Sequence, residues 1–164
     1  MRFYLFTIVC FSSILASAQS SIPQVLKNLN KQSVPYIKVD ELKSKTELIY
    51  LDARELKEFN VSHIKNAIPI GFNHFKIQNV TSTVKDKDAT IVVYCSIGVR
   101  SEKIAELLLK SGYKNIYNLY GGIFEYKNTG GKVFNNQNKE TDNVHAFNKK
   151  WSVYLTKGIK VYEN

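Results

Sequence analysis

Ala89 to Tyr113 constrains this chain more than any other stretch. It opens with "ATIVVYC", a continuous apolar run rich in β-branched residues, and within a few positions becomes "RSEKIAELLLKSGY". An apolar strand without polar alternation suits burial on both faces, as in a parallel sheet. The helix that follows carries Ile104, Leu107 and Leu108 at helical spacing, and Ala105 and Leu109 widen its apolar face. Lys110 in the last turn and Gly112 beyond it mark its end.

The rest of the chain repeats the alternation. "TELIYLD" reads as a strand ending at Asp52, and "ARELKEF" has helical composition. "AIPI" is a second short strand, with Pro69 placing it at an edge or a strand end. Residues 71–88 are polar and predict a short helix and a loop. "NIYNLYGG" is a strand running into a glycine turn, and "IFEYKNTGG" a last short helix with its terminator. Strands and helices alternating at this spacing predict an α/β domain, its mostly parallel sheet flanked by helices. Residues 19–33 read as a polar lead-in, 34–134 as the domain and 135–164 as a C-terminal extension. The extension begins polar, "NNQNKETDN", but ends in "AFNKKWSVYLTKGIKVYEN" with the only Trp of the chain. That ending is too apolar for a free tail and is expected to pack back on the domain, covering a sheet edge.

Residues 1–18 follow a different logic. Arg2 precedes "YLFTIVCFSSILA", and "ASA" closes the segment at Ala16 to Ala18. This is the pattern of a secretory signal peptide cleaved after Ala18, and the apolar run is short for a membrane anchor. Cys10 follows Val9 inside the apolar run, where a lipid-modified cysteine would want small residues before it. Export to a periplasm or beyond the cell is therefore expected, from a bacterial source, with no integral membrane span after cleavage. Cleavage removes the single charge of Arg2 and takes the net charge from +9 to +8. A basic surface can attract nucleic acid, anionic surfaces or small anions. The lysines here are scattered with acids between them, which predicts a solvated surface and no nucleic-acid partner.

Cleavage also leaves Cys95 as the only cysteine. It cannot form an internal disulfide, and an odd cysteine in an oxidising compartment is buried, paired between chains or reactive for a purpose. Cys95 stands where the best strand ends, the usual position for ligand sites of α/β sheets. In the loop "SIGVR", Gly98 lets the backbone bend with positive φ. Several N–H groups can then turn inward at the helix N-terminus, forming an anion nest. Those dipoles, the charge of Arg100 and a hydrogen bond from Ser101 would lower the thiol pKa. A thiolate so cradled is a nucleophile facing a site for developing negative charge. It could attack phosphorus, or sulfane sulfur to give a persulfide. Phosphatases of this architecture use a longer spacing from Cys to Arg, and no Asp on this loop supplies a general acid. The short spacing over Ser96, Ile97, Gly98 and Val99 suits a single sulfur atom better. A cysteine at a strand end can equally be a small buried apolar side chain, so the loop alone leaves that reading open.

Taken together, the segments resemble a single-domain rhodanese, the sulfurtransferase family. "LIYLDARELKEF" is similar to its strand with Asp-x-Arg and Glu-Phe, at Asp52, Arg54, Glu58 and Phe59. "SHIKNAIPI", "IVVYCSIGVRS" and "LLLKSGYKNIYNLYGGIFEY" resemble its next segments in order. The resemblance implies that Cys95 accepts sulfur as nucleophile. The backbone amides from Ser96 through Ile97, Gly98, Val99 and Arg100 to Ser101 would hold the persulfide, and Arg100 would flank the pocket and help bind an anionic donor or order the loop. Asp52, Arg54, Glu58 and His63 would brace the fold. The carrier is the cysteine itself, so no metal or organic cofactor is implied, and His63, His74 and His145 are too spread for a zinc cluster. Thiosulfate or a persulfide would donate, and a thiol, cyanide or a protein sulfur partner would accept. A persulfide carrier without turnover, or a binding module on the same fold, is the alternative. Ser62 and Asn66 stand where the family usually has Gly, and a left-handed backbone there suits Asn better than Ser. Ser96 stands where many members place a basic residue directly after the cysteine, and Ile97 beside it is apolar, which weakens the case for thiosulfate. Tyr126 would replace a tryptophan-type anchor after Gly121 and Gly122.

Overall fold

In the computed structural model, residues 21–162 are described, and the signal peptide expected at 1–18 lies outside them. In chain order the elements are α1 (Ile22–Leu29), β1 (Tyr36–Ile37), β2 (Ile49–Asp52), α2 (Leu56–Val61), β3 (His63–Ile64), β4 (Ile68–Pro69) and α3 (Ile77–Thr81). Then come β5 (Thr90–Tyr94), α4 (Val99–Lys110), β6 (Asn115–Leu119), α5 (Gly122–Asn128), β7 (Val133–Phe134), β8 (Glu140–Thr141), β9 (Asn143–His145) and β10 (Ile159–Val161). Five strands make a parallel sheet in the order β1-β6-β5-β2-β4. The fold is α/β, as the alternation of elements predicts.

Strand β5 lies at the centre, and Ile91, Val92, Val93 and Tyr94 are fully buried. Successive residues of a strand point to opposite faces. Ile91 and Val93 pack with Val80 of α3 and with Ile104, Ala105 and Leu108 of α4. Val92 and Tyr94 pack on the other face with Val25 of α1, Phe59 of α2 and Ile123 and Phe124 of α5. The uninterrupted apolar run thus serves two cores at once. Pro69 is on β4 at the sheet edge, where a missing N–H costs least.

Two expectations about the flanks change. The lead-in at 19–33 contains α1, whose Val25 and Leu26 are buried; its start carries Pro23, and Gln24 accepts from the Ser21 amide. The C-terminal extension extends neither edge of the central sheet. β9 and β10 pair with each other in parallel, and β7 joins β3 and β8 in an antiparallel sheet. Val144, Ala146 and Leu155 enter the core shared by α1, α2 and α5 with no exposed surface, so the extension covers a face. Tyr126 packs against the same core. Asn66 takes a left-handed backbone, φ +60°. Ser62 does not: its φ of −170° is ordinary extended chain, and its hydroxyl donates to the Asn143 carbonyl, so no glycine is needed there.

At the carboxyl end of β2, Asp52 and Arg54 form a fully buried ion pair. Arg54 Nη2 donates to Asp52 Oδ2 at 2.7 Å and Nε to Oδ1 at 3.0 Å, and the Arg54 amide donates to Oδ1 at 2.9 Å. Nη2 also reaches the Ser62 carbonyl at 2.6 Å. The pair thereby ties the end of β2 to the turn after α2. Removing one partner leaves a bare buried charge, which costs more than the pair itself contributes. Asp52→Ala is expected to lower unfolding stability by about 3–5 kcal/mol, as read by urea denaturation; a loss below about 1 kcal/mol would show that water or another group takes over the Arg54 charge.

Candidate active site

Cys95 directly follows β5, at the carboxyl end of the central strand, and is 2% exposed. Its Sγ accepts the Gly98 N–H at 3.2 Å, and Ser101 Oγ lies 3.6 Å away. Gly98 precedes α4 with φ +105°, and a Cβ there would lie 3.3 Å from the Leu119 carbonyl oxygen. The backbone needs glycine at this point for its φ more than for its space. The first turn of α4 then directs its free N–H groups and its dipole toward the sulfur.

The loop is held from behind. Ser101 and Asn118 are fully buried, and the Ser101 hydroxyl donates to Asn118 Oδ1 at 2.7 Å. Asn118 Nδ2 donates to the Gly98 carbonyl at 2.8 Å, and Asn30 Nδ2 to the same oxygen at 2.9 Å. From the other side, the Ile123 amide donates to the Cys95 carbonyl at 2.9 Å and the Phe124 amide to the Ser96 carbonyl at 3.1 Å. That docking of α5 requires Gly122, where a Cβ would fall 2.3 Å from the Cys95 oxygen.

Arg100 Nη1 and Nη2 donate to Glu58 Oε2 and Oε1 at 2.7 and 2.8 Å, and Nη2 also reaches Ser96 Oγ at 3.1 Å. Glu58, expected only to brace the fold, is thus one contact from the nucleophile's loop. Burial pushes its carboxyl up, but the hydrogen bonds and charge of Arg100, with Arg54 behind, hold it below the usual range. Burial also pushes the Cys95 thiol up. The Arg100 charge and hydrogen bonds from Ser101 and Gly98 outweigh it, so the thiol titrates below its ordinary value. His63 stacks on Phe59 with ring centroids 3.9 Å apart and bonds the Phe59 carbonyl through Nδ1, away from the sulfur.

A cavity of about 210 Å³ opens on Cys95. Ser96, Ile97, Val99 and Arg100 line it; Gly98 and Ser101 touch the sulfur without lining the space. Two further walls come from the C-terminal extension, Phe147 and Trp151. Phe147 lies under the Arg100 guanidinium, 5.1 Å from its ring centroid. Phe147, Trp151, Asn118 and Asn30 are the site residues that reading the sequence missed. Asn118 leaves a trace there, as a polar residue in an otherwise apolar strand. No cluster of metal-ligating side chains occurs among the described residues.

The family model of the rhodanese-like domain matches residues 37–129, more than half of the chain. The tRNA uridine(34) hydroxylase of Hamiltonella defensa is 37% identical over 97 residues, covering 57% of this chain and 27% of that protein. This chain therefore spans about a quarter of the length of that curated relative. A rhodanese-related protein from Thermoplasma volcanium has a TM-score of 0.52 at 27% identity, over 60% of this chain and 96% of its own. Thiosulfate sulfurtransferase from Pseudomonas aeruginosa gives a TM-score of 0.57 at 22% identity, over 65% of this chain and 21% of its own, a likeness of fold alone. Phe147 and Trp151 lie outside the family match.

Because the thiolate is the form that reacts, a lowered thiol pKa moves the alkylation profile to lower pH. The iodoacetamide rate at Cys95 is expected to reach half its plateau below the value of free cysteine, about 8.5. Arg100→Ala should move that midpoint upward, since it removes a cation and leaves Glu58 unpaired beside the loop. An unmoved midpoint would assign the shift to the Gly98 and Ser101 donors alone.

Proposed function

The chain belongs to the rhodanese-like domain family, and within it we propose a sulfurtransferase that works through a persulfide on Cys95. The observation that carries this reading is the sulfur itself. It sits at the head of α4, takes the Gly98 N–H at 3.2 Å and opens on a cavity. In the first half of the cycle the thiolate attacks the outer sulfur of a sulfane donor. A new S–S bond forms to Cys95, and the donor's own bond to that sulfur breaks with its electron pair on the leaving group, sulfite in the case of thiosulfate. The terminal persulfide sulfur then carries the charge, facing the amides at the start of α4. In the second half a thiol or cyanide attacks that sulfur and restores the thiolate. Glu58 and Ser96 fix Arg100 beside the loop, so the cation stabilises the thiolate before the reaction and the persulfide after it.

The hydroxylation named for the Hamiltonella defensa protein belongs to a chain of which the match covers about a quarter. The signal-peptide pattern at 1–18 leads us to place the mature protein outside the cytoplasm, periplasmic or secreted. No helix among the described residues is long and apolar enough to cross a membrane.

Intact mass of the protein from Gln19 onward tests the cycle. After thiosulfate or a short polysulfide, a gain of one sulfur atom on Cys95 is expected. Cyanide should remove it with formation of thiocyanate, and Cys95→Ser should abolish the gain while leaving thermal unfolding unchanged. Loading without release to cyanide or any thiol would make the protein a persulfide carrier, and no loading by any donor would leave a binding module.

A further inference from the structure

The two aromatic walls of the cavity lie outside the residues matched by the family model. Phe147 precedes and Trp151 opens the 3-10 turn at Ser152–Tyr154, and both line the space above Cys95. With Ile97 and Val99 they make its lining predominantly apolar. Among the described residues that line it, Arg100 is the one cation, and its charge is already engaged. Glu58 takes both its terminal nitrogens, and Nη2 also reaches Ser96 Oγ. Behind it Arg54 is closed on Asp52. Two arginines thus stand against two carboxylates, so the sulfur, once ionised to react, is the excess charge. A dianion entering this space would meet the ionised sulfur with the one lining cation, Arg100, already paired and Lys150 outside the lining, 5.8 Å from the Trp151 ring centroid, while an apolar group would replace water on aromatic surface.

Resting on the sulfur-transfer reading above, we propose that Phe147 and Trp151 select organic sulfane donors with an apolar, aromatic-sized body in preference to thiosulfate. The donor's body lies against the two rings and its outer sulfur reaches Cys95. For an organic thiosulfonate the thiolate bonds to the outer sulfur, the bond from that sulfur to the sulfonyl sulfur breaks, and the electron pair leaves on a sulfinate. One anion enters and one leaves, and the persulfide keeps the charge of the thiolate. The preference arises from a segment beyond the matched domain, so it is a property of this chain.

Benzenethiosulfonate and methanethiosulfonate carry the same reacting group and charge and differ only in the organic body, which makes them the probes. The kcat/KM ratio of the phenyl to the methyl donor, with cyanide as acceptor, is expected to exceed about tenfold in the native protein, within the range that apolar pockets achieve. Thiosulfate should be slower than the phenyl donor. In Phe147→Ala and Trp151→Ala the ratio should fall to within about twofold, because only the phenyl donor loses its wall. Trp151→Leu, which keeps apolar bulk for the fold, should give an intermediate ratio and serves if the alanine variant does not fold. A native ratio near one, a ratio that survives in both alanine variants, or thiosulfate as the fastest donor would overturn the proposal. If neither the thiosulfonates nor thiosulfate nor a polysulfide puts sulfur on Cys95 by intact mass, the sulfur-transfer reading itself falls; loading by thiosulfate but by neither thiosulfonate overturns only the donor preference.

Discussion

Two backbone carbonyls, those of Cys95 and Ser96, point into the first turn of α5, and the geometry of the site follows from that contact. A chain leaving a central parallel strand would ordinarily continue outward. Here the Ile123 and Phe124 amides take both carbonyls, so the loop folds over and its other peptide groups are left to face inward. The contact is close because Gly122 has no side chain, and no other residue could stand 2.3 Å from an oxygen at its Cβ. With one side of the loop fixed in this way, Asn118 and Asn30 need hold only the Gly98 carbonyl to complete it. The nucleophile is therefore positioned by main-chain contacts to α5 and by the Asn118 and Asn30 side chains behind the loop, while Arg100 and the cavity walls set charge and access.

Charge is arranged in two layers. Asp52 and Arg54, fully buried, neutralise each other at the end of β2. Buried Glu58 and the partly exposed Arg100 do the same nearer the cavity. A pair that is buried and also hydrogen-bonded is expensive to break and contributes little net field at a distance. Cys95 is near enough to Arg100 to feel it directly, while a ligand farther out feels the pair. Arg100 thus stands beside the loop with both terminal nitrogens taken by Glu58.

Much of this was legible in the residues. The run from Thr90 to Tyr94 announced a central strand because burial on both faces removes any reason for polar alternation. Cys95, Gly98 and Arg100 could be assigned because a strand end, a flexible residue and a helix start fall within six positions. The pairing of Arg100 with Glu58 was not legible, since forty-two positions separate the two and local spacing carries no sign of it. Asn30 was hidden in a segment that looks polar throughout, though Val25 and Leu26 bury there. Phe147 and Trp151 were visible only as apolar residues in a polar tail. Their position over the cavity depends on how Val144, Ala146 and Leu155 enter a core formed mainly by other elements, a tertiary fact with no local trace.

The depth of Cys95 has a consequence for the company this thiol can keep. A disulfide requires two sulfurs within about 2 Å and their β-carbons within about 4.5 Å. With 2% of Cys95 exposed and two rings at the mouth, a cysteine on the convex surface of another folded protein cannot approach that closely. Two copies of this chain are barred from linking through it for the same reason. An unpaired cysteine can thus persist in oxidising surroundings without cross-linking. A protein that exchanged sulfur with it would have to offer its own cysteine on a flexible terminus or a narrow loop.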